Sequence, residues 1–161
     1  MVSIKPEVSR AQRKIINGIY VVSTRLGDRI NAMTASWVCR ASFSPPLLTV
    51  SIGKTRHTHD LIAASGVFAV HALGPDQIDV AKRFGLKTGG KTDKFAGVEY
   101  TTRVTGSPIL KDCIAWIDCR VVAGHDAGDH TLFIGEMLDG EVVRDVPTVL
   151  YDRESFYDAK K

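Results

Sequence analysis

The stretch TVSIGKTRHTHDLI, residues 49–62, gathers residue types that hold an anion: Gly53, Lys54, Thr55, Arg56 and Thr58. Its Gly53-Lys54-Thr55 is like the end of a nucleotide-binding P-loop. A P-loop needs a further glycine five positions before the one that precedes the lysine, because its backbone must wrap phosphates with consecutive N–H groups. Leu48 stands there, which makes a nucleoside triphosphate a poor expectation. Residues 47–52 read instead as an apolar, β-branched strand after Pro45-Pro46. Thr55 or Thr58 then serves as N-cap of a short helix over residues 60–64. Exposed helix N–H groups, the positive end of the dipole and the charges of Lys54 and Arg56 would suit one terminal phosphate. The alternative is a capped surface helix with solvated charges.

Other chemistry finds less support. Ser51 and Ser65 lack the Gly-x-Ser-x-Gly context of an activated serine, and no cysteine has a recognisable catalytic partner arrangement. Asp126 and Asp129 bracket a glycine, where aspartate serves the backbone of a turn. His57 and His59 point apart if their segment is helical, and no third ligand is placed by the sequence, so no metal is expected. His125 and His130 flank the same turn and face each other across it as possible ligands or proton partners. His71 reads as a hydrogen-bonded histidine in a half-buried strand.

The elements that must position these residues are mostly strands. A helix is expected over residues 8–16, where Val8, Ala11 or Gln12 and Ile15 recur at helical spacing, ending near Asn17-Gly18. Strands follow over residues 19–26 and 30–42, joined by Gly27-Asp28. The second alternates poorly and carries small polar residues, the texture of a strand bordering a ligand. A strand over residues 66–73 leads through Pro75 to a helix over residues 77–84, where Val80 and Phe84 share a face. GLKTGGKTDKFAG is an irregular loop without G-x-G-x-x-G, of the long kind that is functional or mobile. Strands over residues 113–125 and 130–138 form a hairpin around residues 126–129, and a last strand is expected over residues 146–151. Many strands with few short helices predict a mainly β, antiparallel barrel, in which closure would remove the sheet edges.

At 161 residues the chain is expected to be one domain, residues 1–161. Lys plus Arg number 21 against 18 Asp plus Glu, and the basic residues are scattered, which is not the footprint of a nucleic-acid binder. Cys39, Cys113 and Cys119 form no C-x-x-C and read as thiols of a reducing compartment. Charges near the N-terminus break up any signal peptide, and no apolar run is long enough for a membrane helix, so the expected location is the cytoplasm.

Segments along the chain resemble, in order, the flavin reductase-like, FMN-binding split-barrel proteins: NAMTASW (31–37), SPPLLTVSIG (44–53), THDLI (58–62), AKRFG (81–85), DKFAGVEY (93–100), GSPIL (106–110) and GDHTLFIGEM (128–137). The resemblance covers residues 17–151. It implies a split β-barrel with a few short helices, a homodimer, and FMN held noncovalently near the subunit interface. By the family's pattern Ser51, Gly53, Lys54 and Thr58 hold the phosphate, with Arg83 reaching in. Asn31, Ala32, Met33, Thr34, Ala35 and Ser36 line the isoalloxazine, and Ile52, Phe84 and Tyr151 complete the cofactor set. His130, in GDHT, is the position expected beside the flavin, as the catalytic residue facing the nicotinamide of NADH or NADPH. Many members end in a glycine-arginine-tyrosine pattern where this chain has Arg153-Glu154-Ser155-Phe156-Tyr157, a departure that bears on C-terminal flavin contacts.

The resemblance implies an NAD(P)H:flavin oxidoreductase supplying reduced FMN. Its alternatives are a flavoredoxin-type carrier that exchanges electrons with a protein partner, a flavin-binding barrel without turnover, and a pyridoxamine-phosphate oxidase-like activity on a related barrel. No Rossmann acidic residue or arginine is present to choose between NADH and NADPH.

Overall fold

The structure, a computed structural model, describes residues 4–152 and Phe156. Among the described residues the elements run in the order α1 (Pro6–Gln12), β1 (Tyr20–Leu26), β2 (Arg29–Ala35), β3 (Val38–Phe43), β4 (Pro46–Gly53), α2 (His57–Ser65), β5 (Val67–Ala72), α3 (Ile78–Gly85), β6 (Tyr100–Thr102), β7 (Pro108–Leu110), β8 (Ala115–Ala127) and β9 (His130–Val142). A 3-10 turn, Pro75–Gln77, leads into α3. The main sheet has seven strands in the order β2-β1-β5-β8-β9-β4-β3, antiparallel throughout.

The expected single strand over residues 30–42 is two strands. They lie at opposite ends of the sheet order, joined only through Ser36 and Trp37. The Ser51 N–H donates to the Trp37 carbonyl at 3.0 Å, which extends the β3–β4 pairing by one residue to the point where the chain leaves β2. The barrel is therefore split: β2 and β3 remain edges, and closure by a complete hydrogen-bond ladder does not occur.

Alternation along β1 supplies both cores. Val21 faces a layer with Leu73, Phe84, Leu110 and Trp116, beneath α3 and β7, whereas Val22 faces the barrel interior with Val50, Ile52, Phe68 and Phe133. Helix α2 places Ile62 in that interior and stops at Gly66, whose φ of 69° lets its N–H reach the Ile62 carbonyl. Thr58 lies inside α2, not at its cap; Arg56 is the N-cap residue and makes no side-chain capping bond.

Other expectations shift. Helix α1 ends at Gln12 and buries nothing, leaving Ile15 and Ile16 exposed. The segment expected as a last strand contributes only a bridge from Leu150 to Gly18. Pro147, lacking an N–H, stands in the middle of it. The short β6–β7 sheet was not expected. Buried Asp118 fixes the turn between its strands by accepting from the Thr105 N–H and hydroxyl.

Candidate functional site

A cleft of about 160 Å³ opens between β2, the residues before and at the start of α2, the end of α3 and the following loop. Along its strand wall stand Asn31, Met33, Thr34, Ala35 and Ser36, side chains short enough, apart from Met33, for a ligand to approach the backbone. Asn31, 3% exposed, donates to the Thr58 hydroxyl at 2.9 Å, which joins β2 to α2. The loop closes on this pair through Gly89: a Cβ there would lie 2.0 Å from Asn31 Oδ1. Glycine is the residue that permits so close an approach.

Lys94 is the unusual group. It is 5% exposed, and its ammonium donates to the carbonyls of Ala32 at 2.9 Å and Phe84 at 2.8 Å. The second acceptor lies in the last turn of α3, where the helix dipole favours a cation. Burial, then the neighbouring Arg56 charge, brings the Lys94 pKa down to about 8. No carboxylate pairs with Lys94 among the described residues. Arg56 and Lys87 line the same cleft, and among the described residues no Asp or Glu does. A buried cation lacking an acidic partner favours an anion brought by a ligand.

A second, outer cavity of about 260 Å³ shares Met33 to Ser36, Arg56 and Tyr151 with the first and adds Trp37, Ser51, Gly53 and His130. His130 is held on two sides. Its Nδ1 meets Asp129 Oδ1 at 2.7 Å, and its ring packs on the Trp37 indole with centroids 4.7 Å apart and planes tilted by 41°. The hydrogen bond with His130 is the main cause that holds the Asp129 carboxyl below its ordinary range. With Nδ1 committed to the carboxylate, Nε2 is left for the cavity, 3.6 Å from where a Cβ on Gly53 would stand.

The family described as Flavin reductase like domain matches residues 12–160. The chain belongs to that family. The flavin reductase-like chain is 34% identical over 140 residues to a ferric-chelate reductase (NAD(P)H) of Archaeoglobus fulgidus, covering 86% of this chain and 83% of that one. It is 32% identical over 143 residues to diflavin flavoprotein A 1 of Synechocystis, covering 88% of this chain but only 25% of that protein. Among solved structures, an FMN-binding protein from Thermus thermophilus with bound p-hydroxybenzaldehyde superposes with a TM-score of 0.80 at 29% identity, covering 86% of this chain and 82% of the other.

Within this flavin reductase-like fold the residues named from the sequence separate. Asn31, Met33, Thr34, Ala35, Ser36, Thr58, Phe84 and Tyr151 line the inner cleft, while Ser51, Gly53 and His130 line the outer cavity. Ala32 is buried behind the wall and offers its carbonyl to Lys94. Three lie elsewhere. Ile52 alternates into the core and is fully buried. Lys54 turns to the β8–β9 hairpin, donating to Asp126 at 2.8 Å and to the Gly128 carbonyl at 2.7 Å. Arg83 braces the loop from behind by donating to the carbonyls of Lys94 and Ala96.

Arg56 was named for its charge, but Lys87, Gly89 and Lys94 were not singled out. Their only signal was the Gly/Lys/Thr composition of the loop, which does not tell which lysine faces inward. The C-terminal departure lies outside the described residues except for Phe156, which is buried against the cleft. His59 bonds Asp60 and the Thr131 hydroxyl, and His125 is exposed on the hairpin. No metal-holding group of three His, Cys, Asp or Glu occurs among the described residues, and no helix among them is long and apolar enough to cross a membrane.

Proposed function

We propose that this chain is a flavoprotein oxidoreductase that binds FMN noncovalently in the inner cleft and takes its electrons from NADH or NADPH. The observation that carries the reading is Lys94, a buried ammonium that among the described residues has no carboxylate partner, in a cleft lined also by Arg56 and Lys87 and by no described acid. Such a cleft fits a ligand that is flat at one end and anionic at the other. Met33 to Ser36 give the flat end a wall of mostly small side chains, and β2, paired only with β1, has main-chain groups along its free edge. Arg56, Lys87 and Lys94 serve the phosphate, roles the sequence pattern had given to Lys54 and Arg83. Bound there, FMN supplies the redox chemistry, accepting a hydride from the reduced nicotinamide and giving its electrons to an acceptor. His130 Nε2 stands where it would contact the hydride donor in the outer cavity.

The test is the visible spectrum of purified protein with FMN, followed by anaerobic addition of NADH and NADPH. A bound flavin bleached by one of them supports the reading and gives the nucleotide preference. Absence of flavin uptake would sink it. A second reading, an electron carrier serving a protein partner, is favoured by the match to one quarter of a longer diflavin protein; its signature is a tightly held flavin that neither nucleotide bleaches. A homodimer accompanies both readings, since β3 is an unpaired edge carrying Phe43 at 88% exposure. Sedimentation of the flavin-loaded protein as a monomer would remove it.

A further inference from the structure

We infer that Trp37 is a specificity-determining residue: its indole is the stacking wall on which the hydride donor's nicotinamide ring rests in the outer cavity. The inference rests on the flavin reading above. Trp37 sits in the two-residue step between β2 and β3, and its carbonyl is fixed by the Ser51 N–H at 3.0 Å, so the indole is carried by a rigid part of the seam. Among the described residues the His130 ring alone stacks with it, and 47% of the residue remains exposed. Its indole N–H has no hydrogen-bond partner among the described residues. A large aromatic side chain left half in water beside a cavity loses favourable burial unless a ligand covers it.

The rest of the cavity states what kind of ligand that is. Trp37, His130 and Tyr151 present aromatic rings, which suit a flat ring. Arg56 borders both the inner cleft and the outer cavity, so an anionic linker leaving the outer ring meets a guanidinium at the boundary. A flat ring with a carboxamide oxygen to accept the indole N–H, attached to a pyrophosphate, is the nicotinamide end of a dinucleotide. Because Met33 to Ser36 wall both cavities, a ring on Trp37 lies next to one seated in the cleft.

The experiment compares wild type, Trp37→Phe and Trp37→Ala, each loaded with FMN. FMN affinity is read from the quenching of flavin fluorescence. Binding of oxidised NAD and NADP, which cannot turn over, is read by calorimetry, and the donor concentration giving half-maximal reduction by stopped flow. FMN affinity is expected to stay within about twofold in both variants. Nucleotide binding weakens about tenfold in Trp37→Ala and about threefold in Trp37→Phe, whose ring keeps part of the stack. Equal nucleotide binding by all three proteins would overturn the role of Trp37 while leaving the flavin reading intact, and so would a loss of FMN affinity as large as the loss of nucleotide affinity. A wild-type protein that takes up no FMN overturns both.

Discussion

The Lys94 ammonium donates to the Ala32 carbonyl over 2.9 Å, joining the loop to a strand 62 positions earlier. This bond puts a positive charge behind the wall of the cleft, with no carboxylate paired to it among the described residues. Lys94→Met is therefore expected to weaken FMN binding about tenfold or more while leaving the melting temperature of the flavin-free protein unchanged or higher. Titration of flavin fluorescence beside thermal melts checks both; a lower melting temperature with undiminished flavin affinity would make Lys94 purely structural.

The same lysine predicts opposite pH trends for the free and loaded protein. Its folded pKa of about 8 lies below the unfolded value of 10.5. Between those values the unfolded chain binds the extra proton, so this group's contribution to stability rises with pH. Over the same interval the folded lysine has lost the charge that attracts phosphate, and FMN affinity falls. Both trends are read as the difference between wild type and Lys94→Met, which cancels the tyrosine and the thiols that titrate nearby. A difference that does not change above pH 8 would contradict the assignment.

His71 makes the acid side of the profile. It is fully buried, and its Nδ1 meets the Val21 carbonyl at 2.9 Å. Burial outweighs the hydrogen bonds to the Val21 and Pro108 carbonyls and lowers the pKa to about 4. A lowered histidine contributes stability that is complete above the unfolded value near 6.5 and is lost as pH falls towards 4, by about 3 kcal/mol in all. Urea midpoints from pH 7 to 4 are expected to fall more steeply for wild type than for His71→Asn; parallel profiles would exclude the effect.

His130→Ala is expected to keep FMN affinity within about twofold and to slow reduction by NADH or NADPH about ten- to a hundredfold. Single-turnover stopped flow separates the two quantities. An unchanged reduction rate would leave His130 as a hairpin residue held by Asp129 and Trp37 and nothing more.

Gly89 and Gly90 form a matched pair. A methyl on Gly89 would fall 2.0 Å from Asn31 Oδ1, whereas one on Gly90 has nothing nearer than His57 Cγ at 3.9 Å. Gly89→Ala must lift the loop from the cleft, and FMN release is expected to speed up about tenfold. Gly90→Ala should release flavin at the wild-type rate. Equal rates in the two variants would show that the loop does not hold the flavin.

Most strands of the main sheet and the long hairpin were legible because alternation and turn residues are local signals, whereas the short β6–β7 pair and the loss of the strand at residues 146–151 were not. The strand expected over residues 47–52 runs one residue further at each end, Pro46–Gly53, and the β8–β9 turn falls at Gly128-Asp129, within the expected 126–129. The break at Ser36-Trp37 was not legible. Periodicity says which residues alternate, not which strand lies beside which, and β2 and β3 differ by the whole width of the sheet. Where each charged side chain points was not legible for the same reason. Lys54 lies within the most suggestive motif, yet the fold directs it to Asp126, 72 residues away, while Lys94 arrives from a loop whose composition gave no direction. Contacts of that range are set by tertiary packing, which short-range spacing does not encode.

The seam between β2 and β3 also bears on how this cleft persists as sequences change. A barrel hydrogen-bonded all the way round commits its main-chain amides and carbonyls to neighbouring strands, whereas β2 is paired along one side only. Main-chain groups are present whatever side chain a mutation installs. The wall formed by Met33 to Ser36 is thus inherited with the curl of the sheet more than with particular residues, and substitutions there are tolerated as long as they stay small enough to let a ligand reach the backbone.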